Sequence, residues 1–220
     1  MKNIVLLVSL IILLASCGNS VKKTYYKTGE LESVVEVCGD KYDGNALWYY
    51  PDGTLKIKAN YVNDTLQGEY IQFFRNGKKQ IYKVYKDGEI NGLSVRYLYI
   101  GRPVLQETYK NGLLHGKTIV YFEESDGIES EGSYKNGLKD GEWIYYGKAG
   151  DVVGRGKFTK GTGVLTFWYF DGNIKQKSNF KKGEKHGVEL LYFPDGELYI
   201  KRTFENGKVV DEKTFVHPKA

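Results

Sequence analysis

One stretch of the sequence, residues 68–92, sets the pattern for nearly the whole chain: GEYIQFFRNGKKQIYKVYKDGEING. It opens with a glycine, carries aromatic residues five and seventeen positions later, and ends on the glycine that opens the next copy. The opening glycines stand 22 to 25 residues apart, at Gly44, Gly68, Gly92, Gly116, Gly141, Gly163 and Gly187. A fixed period in this range is typical of a repeat array, in which each unit packs against its neighbours.

Two turn signals lie in each unit and predict two strands. In the quoted stretch they are Asn76-Gly77 and Asp87-Gly88, dipeptides that tolerate positive φ and are strong hairpin signals. The sequence therefore predicts an all-β fold: an elongated antiparallel sheet of stacked β-hairpins, with about seven full units after a degenerate N-terminal cap that begins near Ser20. The fifth unit has only 22 residues and extra glycines, which predict a bulge or a bend, at Gly147, Gly154 and Gly156.

Side-chain alternation along the first strand of each unit predicts which face is packed. Leu47 and Tyr49 point to one side, and Trp48 and Tyr50 to the other. The first side is aliphatic and aromatic in every unit except at Thr166, so we expect it to be the main packing face. Fourteen aromatic residues at two repeat positions are predicted to supply most of the stability: Tyr49, Phe73, Tyr97, Tyr121, Tyr146, Trp168 and Tyr192, and Tyr61, Tyr85, Tyr109, Tyr134, Phe158, Phe180 and Phe204.

Residues 1–16 differ from the repeats and predict an export signal. A short basic start precedes a run of twelve apolar or small residues, which is too short for a comfortable membrane span and has the length of a signal peptide. The run closes on Leu14-Ala15-Ser16-Cys17, which resembles a bacterial lipobox, in which the cysteine is lipidated and becomes the new N-terminus. The alternative is an ordinary signal peptide followed by an incidental cysteine.

The residues after Cys17 bear on location. Gly18-Asn19-Ser20 has neither an Asp next to the cysteine, a familiar inner-membrane retention signal, nor an acidic run that resembles a surface-export signal. We therefore expect an exported bacterial lipoprotein at the outer membrane, on its periplasmic face. The predicted order is a signal peptide at 1–16, a short linker at 17–24, a repeat domain at 25–216 and a tail at 217–220.

No constellation of residues predicts catalysis, a cofactor or a metal site. His115 and His186 precede unit glycines three units apart, so we do not expect them to share a metal, and no Cys/His cluster has zinc spacing. The net charge of +5 is mild for 220 residues, and lysines are interspersed with acids. The sequence therefore predicts a protein that is not an enzyme and does not bind nucleic acid.

The unit resembles the MORN repeat in its second, bacterial variant, and the resemblance covers residues 24–210. The match is clearest from Gly68-Glu69-Tyr70 to Asp87-Gly88 and at Asn111-Gly112-Leu113-Leu114-His115-Gly116. The resemblance implies elongated sheets of hairpins that act as scaffolds, dimerisation modules or lipid binders, and bacterial proteins of this variant are often labelled antitoxin-like. Cell-wall-binding repeats also carry Trp-Tyr-Tyr hairpins, but their units are shorter and usually carry a Gly-Trp pair, which this chain lacks.

The leading functional hypothesis is a lipid-anchored protein-interaction scaffold in the cell envelope, held at the membrane through Cys17 and bound to a protein partner or to itself. Two alternatives stay open: a binder of cell-wall glycan or peptidoglycan, and an antitoxin or immunity protein. Aromatic residues of the second side are the candidate ligand contacts, and packing against the neighbouring hairpin is their alternative role: Trp48, Tyr50, Phe74, Phe122, Tyr169 and Phe193.

Overall fold

The computed structural model describes residue 18 and residues 20–217. The predicted signal peptide at 1–16, Cys17 and the last three residues of the tail lie outside this part. The described residues form nineteen strands and no helix: β1 Ser20–Tyr25, β2 Leu31–Cys38, β3 Lys41–Tyr49, β4 Leu55–Val62, β5 Thr65–Leu66, β6 Gly68–Phe73, β7 Lys79–Lys86, β8 Glu89–Tyr97, β9 Pro103–Lys110, β10 Leu113–Tyr121, β11 Ile128–Lys135, β12 Leu138–Lys139, β13 Gly141–Tyr146, β14 Val152–Thr159, β15 Thr162–Trp168, β16 Ile174–Lys181, β17 Glu184–Tyr192, β18 Leu198–Glu205 and β19 Lys208–Thr214.

The strands form a single antiparallel sheet in which each long strand pairs with the next along the chain. The strands β5 and β12 have only two residues each and pair with just the ends of β4 and β11. The rest of β4 therefore pairs with β6, and the rest of β11 with β13. No pairing among the described residues joins β1 to β19, and the sheet is therefore open. The predicted all-β array of stacked hairpins is confirmed.

The turn residues adopt the backbone conformations that the sequence predicts. In the second turn of a unit both central residues have positive φ, as at Asn111 (49°) and Gly112 (73°). This is the type I′ geometry, which matches the twist of the flanking strands. In the first turn the N–H of Gly53 donates to the carbonyl of Tyr50 over 2.9 Å, and Gly53 has φ 82°.

Strand register divides the side chains between two faces. Gly44, Ala46 and Trp48 pair with Tyr61, Ala59 and Ile57, and we call their side the Ala46 face. The opposite side, which carries Leu47 and Tyr49, is the Leu47 face. The two sets of repeated aromatics therefore lie on opposite faces. Each ring of the second set, such as Tyr61, pairs with a unit glycine, such as Gly44, and shares its face. The first-set ring, Tyr49, stands an odd number of positions after that glycine, so it points to the other face.

The buried core changes face along the array. In units two to four the buried aliphatic residues lie on the Leu47 face, as predicted, at Ile71, Val95 and Ile119. Towards both ends, buried hydrophobic residues lie on the Ala46 face in two clusters. One contains Val35, Val37 and Ala46, and the other contains Trp143, Phe158 and Leu165. The expectation of one main packing face therefore holds only for the middle units.

In most units the distribution of charges follows this change of face. In the middle units the Ala46 face carries Lys83, Arg96 and Glu107, whose charged groups favour water. In the last units the Leu47 face carries Arg155 and Lys177 instead. Units two and three and the last units bury the side that has fewer charges, whereas unit four keeps the Lys117–Glu131 ion pair on the face that buries Ile119.

Two of the extra glycines of the fifth unit, Gly154 and Gly156, make room for rings. A Cβ on Gly154 would lie 2.4 Å from the Phe167 ring, and one on Gly156 would lie 2.7 Å from Phe158. The first hairpin has the register shift common to the other units, and β14 and β15 then pair without any shift up to Thr159 and Thr162. The expected bulge is therefore present, next to Gly147, but other units share it. What distinguishes the fifth unit is the regular β14–β15 pairing, because the 22-residue spacing removes the irregularity that other units have at this junction.

The N-terminal cap is more regular than the sequence suggests. β1 begins at Ser20, inside the stretch predicted as a linker, and pairs with β2 from Ser20 to Tyr25. Cys38 ends β2 and is half-buried. The described residues contain no helix that could span a membrane.

Candidate interaction surfaces

Five of the six candidate contact residues stand at one repeat position, directly before the first turn of a unit. Each closes its turn through its backbone N–H, as Tyr50 does to the carbonyl of Thr54 over 2.8 Å. The tyrosine hydroxyls then reach the next repeat: Tyr50 donates to the carbonyl of Phe73 (2.9 Å) and Tyr169 to that of Tyr192 (2.8 Å). These side chains are half-buried and join neighbouring units, as the packing role requires.

The phenylalanines of this position pack against neighbouring rings. Phe74 meets Tyr99 edge-on at 5.2 Å between ring centres, and Phe193 lies 4.7 Å from Tyr199. Such pairs contribute about 0.5–1.5 kcal/mol beyond the area they bury. Phe122 is also half-buried, within an enlarged turn in which its N–H donates to the carbonyl of Gly127. The structure therefore places these residues one per repeat along an edge and does not gather them into one pocket.

Trp48, the sixth candidate, belongs to the N-terminal cluster on the Ala46 face. Its ring centre lies 6.4 Å from that of Tyr42 and 6.3 Å from that of Tyr61. It also borders a cavity of about 220 Å³, together with Tyr26, Glu32 and Tyr70 among others. Trp48 is therefore the one candidate that has both a packing role and a place beside open space.

A larger open cavity, which the sequence did not predict, lies on the Leu47 face of units five and six. Its volume is about 590 Å³, and its lining residues include Glu142, Arg155, Lys157, Thr166 and Trp168. The Arg155 guanidinium pairs with the Glu142 carboxylate at 2.8 Å, and both side chains are about half-exposed. In the sequence, Thr166 is the one exception in the aliphatic pattern of this face. That exception was the signal from which a cavity at this place could have been predicted.

A desolvated lysine is the most unusual ionisable group of the Ala46 face. The Lys139 Nζ lies 4.0 Å from the Trp143 ring centre, within cation–π distance, and donates to the Tyr145 hydroxyl over 2.6 Å. Burial lowers the pKa of Lys139 and raises the pKa of Tyr145 to about 12, so Tyr145 keeps its proton at neutral pH.

The surroundings of Lys139 support a packing role. No carboxylate pairs with Lys139 within residues 20–217. The adjoining cavity of about 260 Å³ is lined by glycines, Leu138 and the rings of Tyr134, Phe158 and Phe180. Lys139 is its one charged lining residue.

No metal site was predicted, and within residues 20–217 no group of three His, Cys, Asp or Glu side chains could hold a metal. The His115 ring lies 3.1 Å from the amide oxygen of Asn136 in the next turn. His186 stands at the equivalent position three repeats away. Both histidines belong to the edge of the sheet where the second turns stack.

A protein-family model described as a MORN repeat variant matches residues 42–63, 66–87, 162–182 and 185–206. The chain is a MORN-repeat protein. No curated protein matches it. The four matched segments are single MORN units at the two ends of the array, and the strands between them continue the same pairing. The middle MORN units depart from the pattern at Leu98 and Gly147, which take the place of the turn aromatic, and by one additional residue in the turn after Phe122.

MORN repeats generally take part in interactions with proteins and membranes, and their all-β fold is typically non-catalytic. This agrees with a surface made of broad faces and shallow cavities. It does not by itself name a partner, because function resides in particular sites and not in the fold.

Proposed function

We propose that this protein is a lipid-anchored, non-enzymatic scaffold for protein–protein interaction in the bacterial cell envelope. The observation that supports the proposal most is the open single-layer sheet. Its two broad faces are not covered by any second layer of the described residues, and rings and charged side chains alternate along both. Aromatic residues and Arg are enriched where protein interfaces derive most of their binding energy.

The anchor is Cys17, whose lipidation at the membrane would place the array beside the bilayer. Residues 18 and 19 alone separate Cys17 from β1, so an anchored array begins within roughly 10 Å of the lipidated residue. A protein attached in this way presents its faces along the envelope layer next to the membrane. The outer membrane, on its periplasmic side, is the proposed location.

Metabolic labelling with a palmitate analogue tests the anchor, with the Cys17→Ala variant as the control. We expect label and an acyl mass in the mature wild-type protein, and neither in the variant. The anchor would be contradicted if the intact mass of the mature protein shows that it carries no acyl group and that its two cysteines are joined by a disulfide.

Site-specific photo-crosslinking in cells tests the scaffold. A photoreactive amino acid would replace exposed Lys58 or Lys201 on the Leu47 face, or exposed Arg96 on the Ala46 face. We expect the two positions of one face to yield the same protein adduct, which can be a second copy of this chain, and the other face to yield a different adduct or none. The absence of protein adducts at all three positions would show that the faces do not bind protein.

A further inference from the structure

A line of positive charge crosses the Leu47 face in the last three repeats. Backbone pairing aligns one residue from each of seven consecutive strands: Ile144, Arg155, Thr166, Lys177, Leu190, Lys201 and Lys213. Residues that pair directly across a sheet point to the same face. Arg155, Lys177, Lys201 and Lys213 therefore stand in one line, which we call the cation row.

The cation row is exposed, and carboxylates flank it on this face near its two ends: Glu142 beside Arg155, and Asp211 two positions from Lys213. All four of its side chains are exposed, and among the ion pairs of residues 20–217 only Arg155 has a carboxylate partner, Glu142. Lys177, in the middle of the row, pairs with Thr166 and Leu190 across the strands. Its same-face neighbour along β16 is Asn179, which pairs with Val164. The row is thus a concentration of unneutralised charge on a chain whose overall charge is mild.

The spacing of the cations indicates what they bind. Arg155, Lys177 and Lys201 are each two strands apart, which is roughly 9.5 Å at the usual strand separation. In an extended acidic peptide, carboxylates on the same side are only about 6.8 Å apart, so their spacing does not match the roughly 9.5 Å between the cations of the row. A linear polysaccharide with one carboxylate per disaccharide repeats on the same length scale as one hairpin.

The side chains beside the row favour a sugar ring. Trp168 stands two residues from Thr166 on β15 and lines the 590 Å³ cavity together with Arg155. An indole ring offers a rigid apolar surface for the apolar face of a pyranose, and its N–H adds a polar edge. The hydroxyl of Thr166 adds a hydrogen-bonding group where six of the seven units carry an aliphatic residue.

We propose that the cation row and Trp168 bind a linear acidic polysaccharide, which lies across the strands and places one carboxylate against each hairpin. This activity goes beyond the scaffold role. It depends neither on the lipid anchor nor on a protein partner, so purified protein can test it separately from the crosslinking experiment.

The test is fluorescence anisotropy of end-labelled hyaluronan oligosaccharides, which carry one carboxylate per disaccharide, with the full chain in a neutral detergent. We expect binding that weakens as the NaCl concentration rises, and no binding of neutral dextran. Replacing Lys177, Lys201 and Lys213 together by Gln is expected to weaken binding about tenfold or more, because it removes exposed charges that face the ligand.

The matched control replaces three exposed lysines of other repeats, Lys22, Lys110 and Lys135, by Gln. It removes the same charge and is expected to change hyaluronan affinity less than about twofold. Trp168→Ala is expected to weaken hyaluronan binding several-fold while preserving its salt dependence. The proposal is overturned if hyaluronan does not bind, if both triple variants lose affinity equally, or if polyglutamate or oligothymidylate binds as tightly as the polysaccharide.

Discussion

At the scale of single residues, glycine supports the packing by its size as much as by its backbone freedom. Gly132 lacks positive φ, yet a Cβ there would lie 2.3 Å from Cδ2 of Trp143. Trp143 is 3% exposed and donates from its ring N–H to the carbonyl of Ser133 over 3.0 Å. The missing side chain on β11 is therefore what allows the indole to lie flat against the sheet.

Gly132→Ala should lower the free energy of unfolding by roughly 1–3 kcal/mol, because the indole must leave its position in a packed cluster. Urea denaturation followed by circular dichroism measures the change. Gly127→Ala is the matched control: Gly127 also lacks positive φ, and its added Cβ would come no closer than 3.3 Å to a neighbour. Equal losses in the two variants would show that contact with Trp143 is not the cause.

A buried carboxylate holds the last repeats together. Glu189 is 1% exposed; Lys185 donates to its carboxylate, and so does the Ser178 hydroxyl over 2.8 Å. The Arg202 guanidinium lies 3.5 Å away. Burial alone would raise the pKa of Glu189, but the hydrogen bonds from Lys185 and Ser178 outweigh it and hold the pKa below its usual value.

The sign of this pKa shift predicts a pH dependence. A carboxylate whose pKa is lower in the folded protein stabilises the fold above its unfolded pKa of about 4.3, and that stability is lost as pH falls through the folded pKa. Glu189→Gln should therefore lower stability by roughly 1–3 kcal/mol at neutral pH, and the deficit should shrink towards pH 3. Urea titrations at several pH values measure it, with exposed Glu197→Gln as the control. A deficit independent of pH would contradict the role of the charge.

At the scale of elements, the second turns form a stacked edge. The N–H of Gly112 donates to the carbonyl of Ile90 over 3.0 Å, which joins one turn to the turn before it. The side chains repeat this link, since the Asn91 amide donates to the side-chain oxygen of Asn111 over 3.1 Å. The turns thus add contacts between neighbouring hairpins as well as closing their own.

Asn111→Val should destabilise the protein by about 1–2 kcal/mol, because a β-branched residue is strained at the positive φ of this position. Asn111→Gly keeps that φ without strain and loses only the side-chain link, so its effect should be smaller. Thermal melts compare the variants, and hydrogen exchange at the Gly112 amide reports the turn itself. If the glycine variant is as unstable as the valine variant, the lost hydrogen bond between Asn91 and Asn111 is the cause instead of backbone strain.

The turns could be predicted from the sequence because Asn-Gly and Asp-Gly encode their conformation locally. The packed face could not be predicted from one strand. Ile71 and Ile144 occupy the same position in the unit, but Ile71 pairs with Tyr82 and Ile144 with Arg155. Ile71 is buried and Ile144 only half-buried, because the paired strand decides which side excludes water. The cation row was missed for the same reason, since its members are 12 to 24 residues apart and become neighbours only through register.

At the scale of the whole molecule, the two Ala46-face clusters are separated by units that bury the other face. Repeat proteins are stabilised by contacts between neighbours, so distant clusters can unfold at different denaturant concentrations. Trp48 packs against the N-terminal cluster, whereas Trp143 is part of the second cluster, which has more partners. Each cluster therefore contains its own fluorescent residue.

We expect the second cluster to unfold at the higher urea concentration, because it packs more large rings together: Trp143, Phe158, Tyr134, Tyr145, Phe167 and Phe180. The chain has three tryptophans, so Trp143→Phe/Trp168→Phe leaves Trp48 as the reporter and Trp48→Phe/Trp168→Phe leaves Trp143. The Trp143 signal should change after the Trp48 signal, and circular dichroism of the wild-type protein should show both transitions. Coincident transitions for all three signals would mean that the middle units couple the ends into one cooperative sheet despite the change of face.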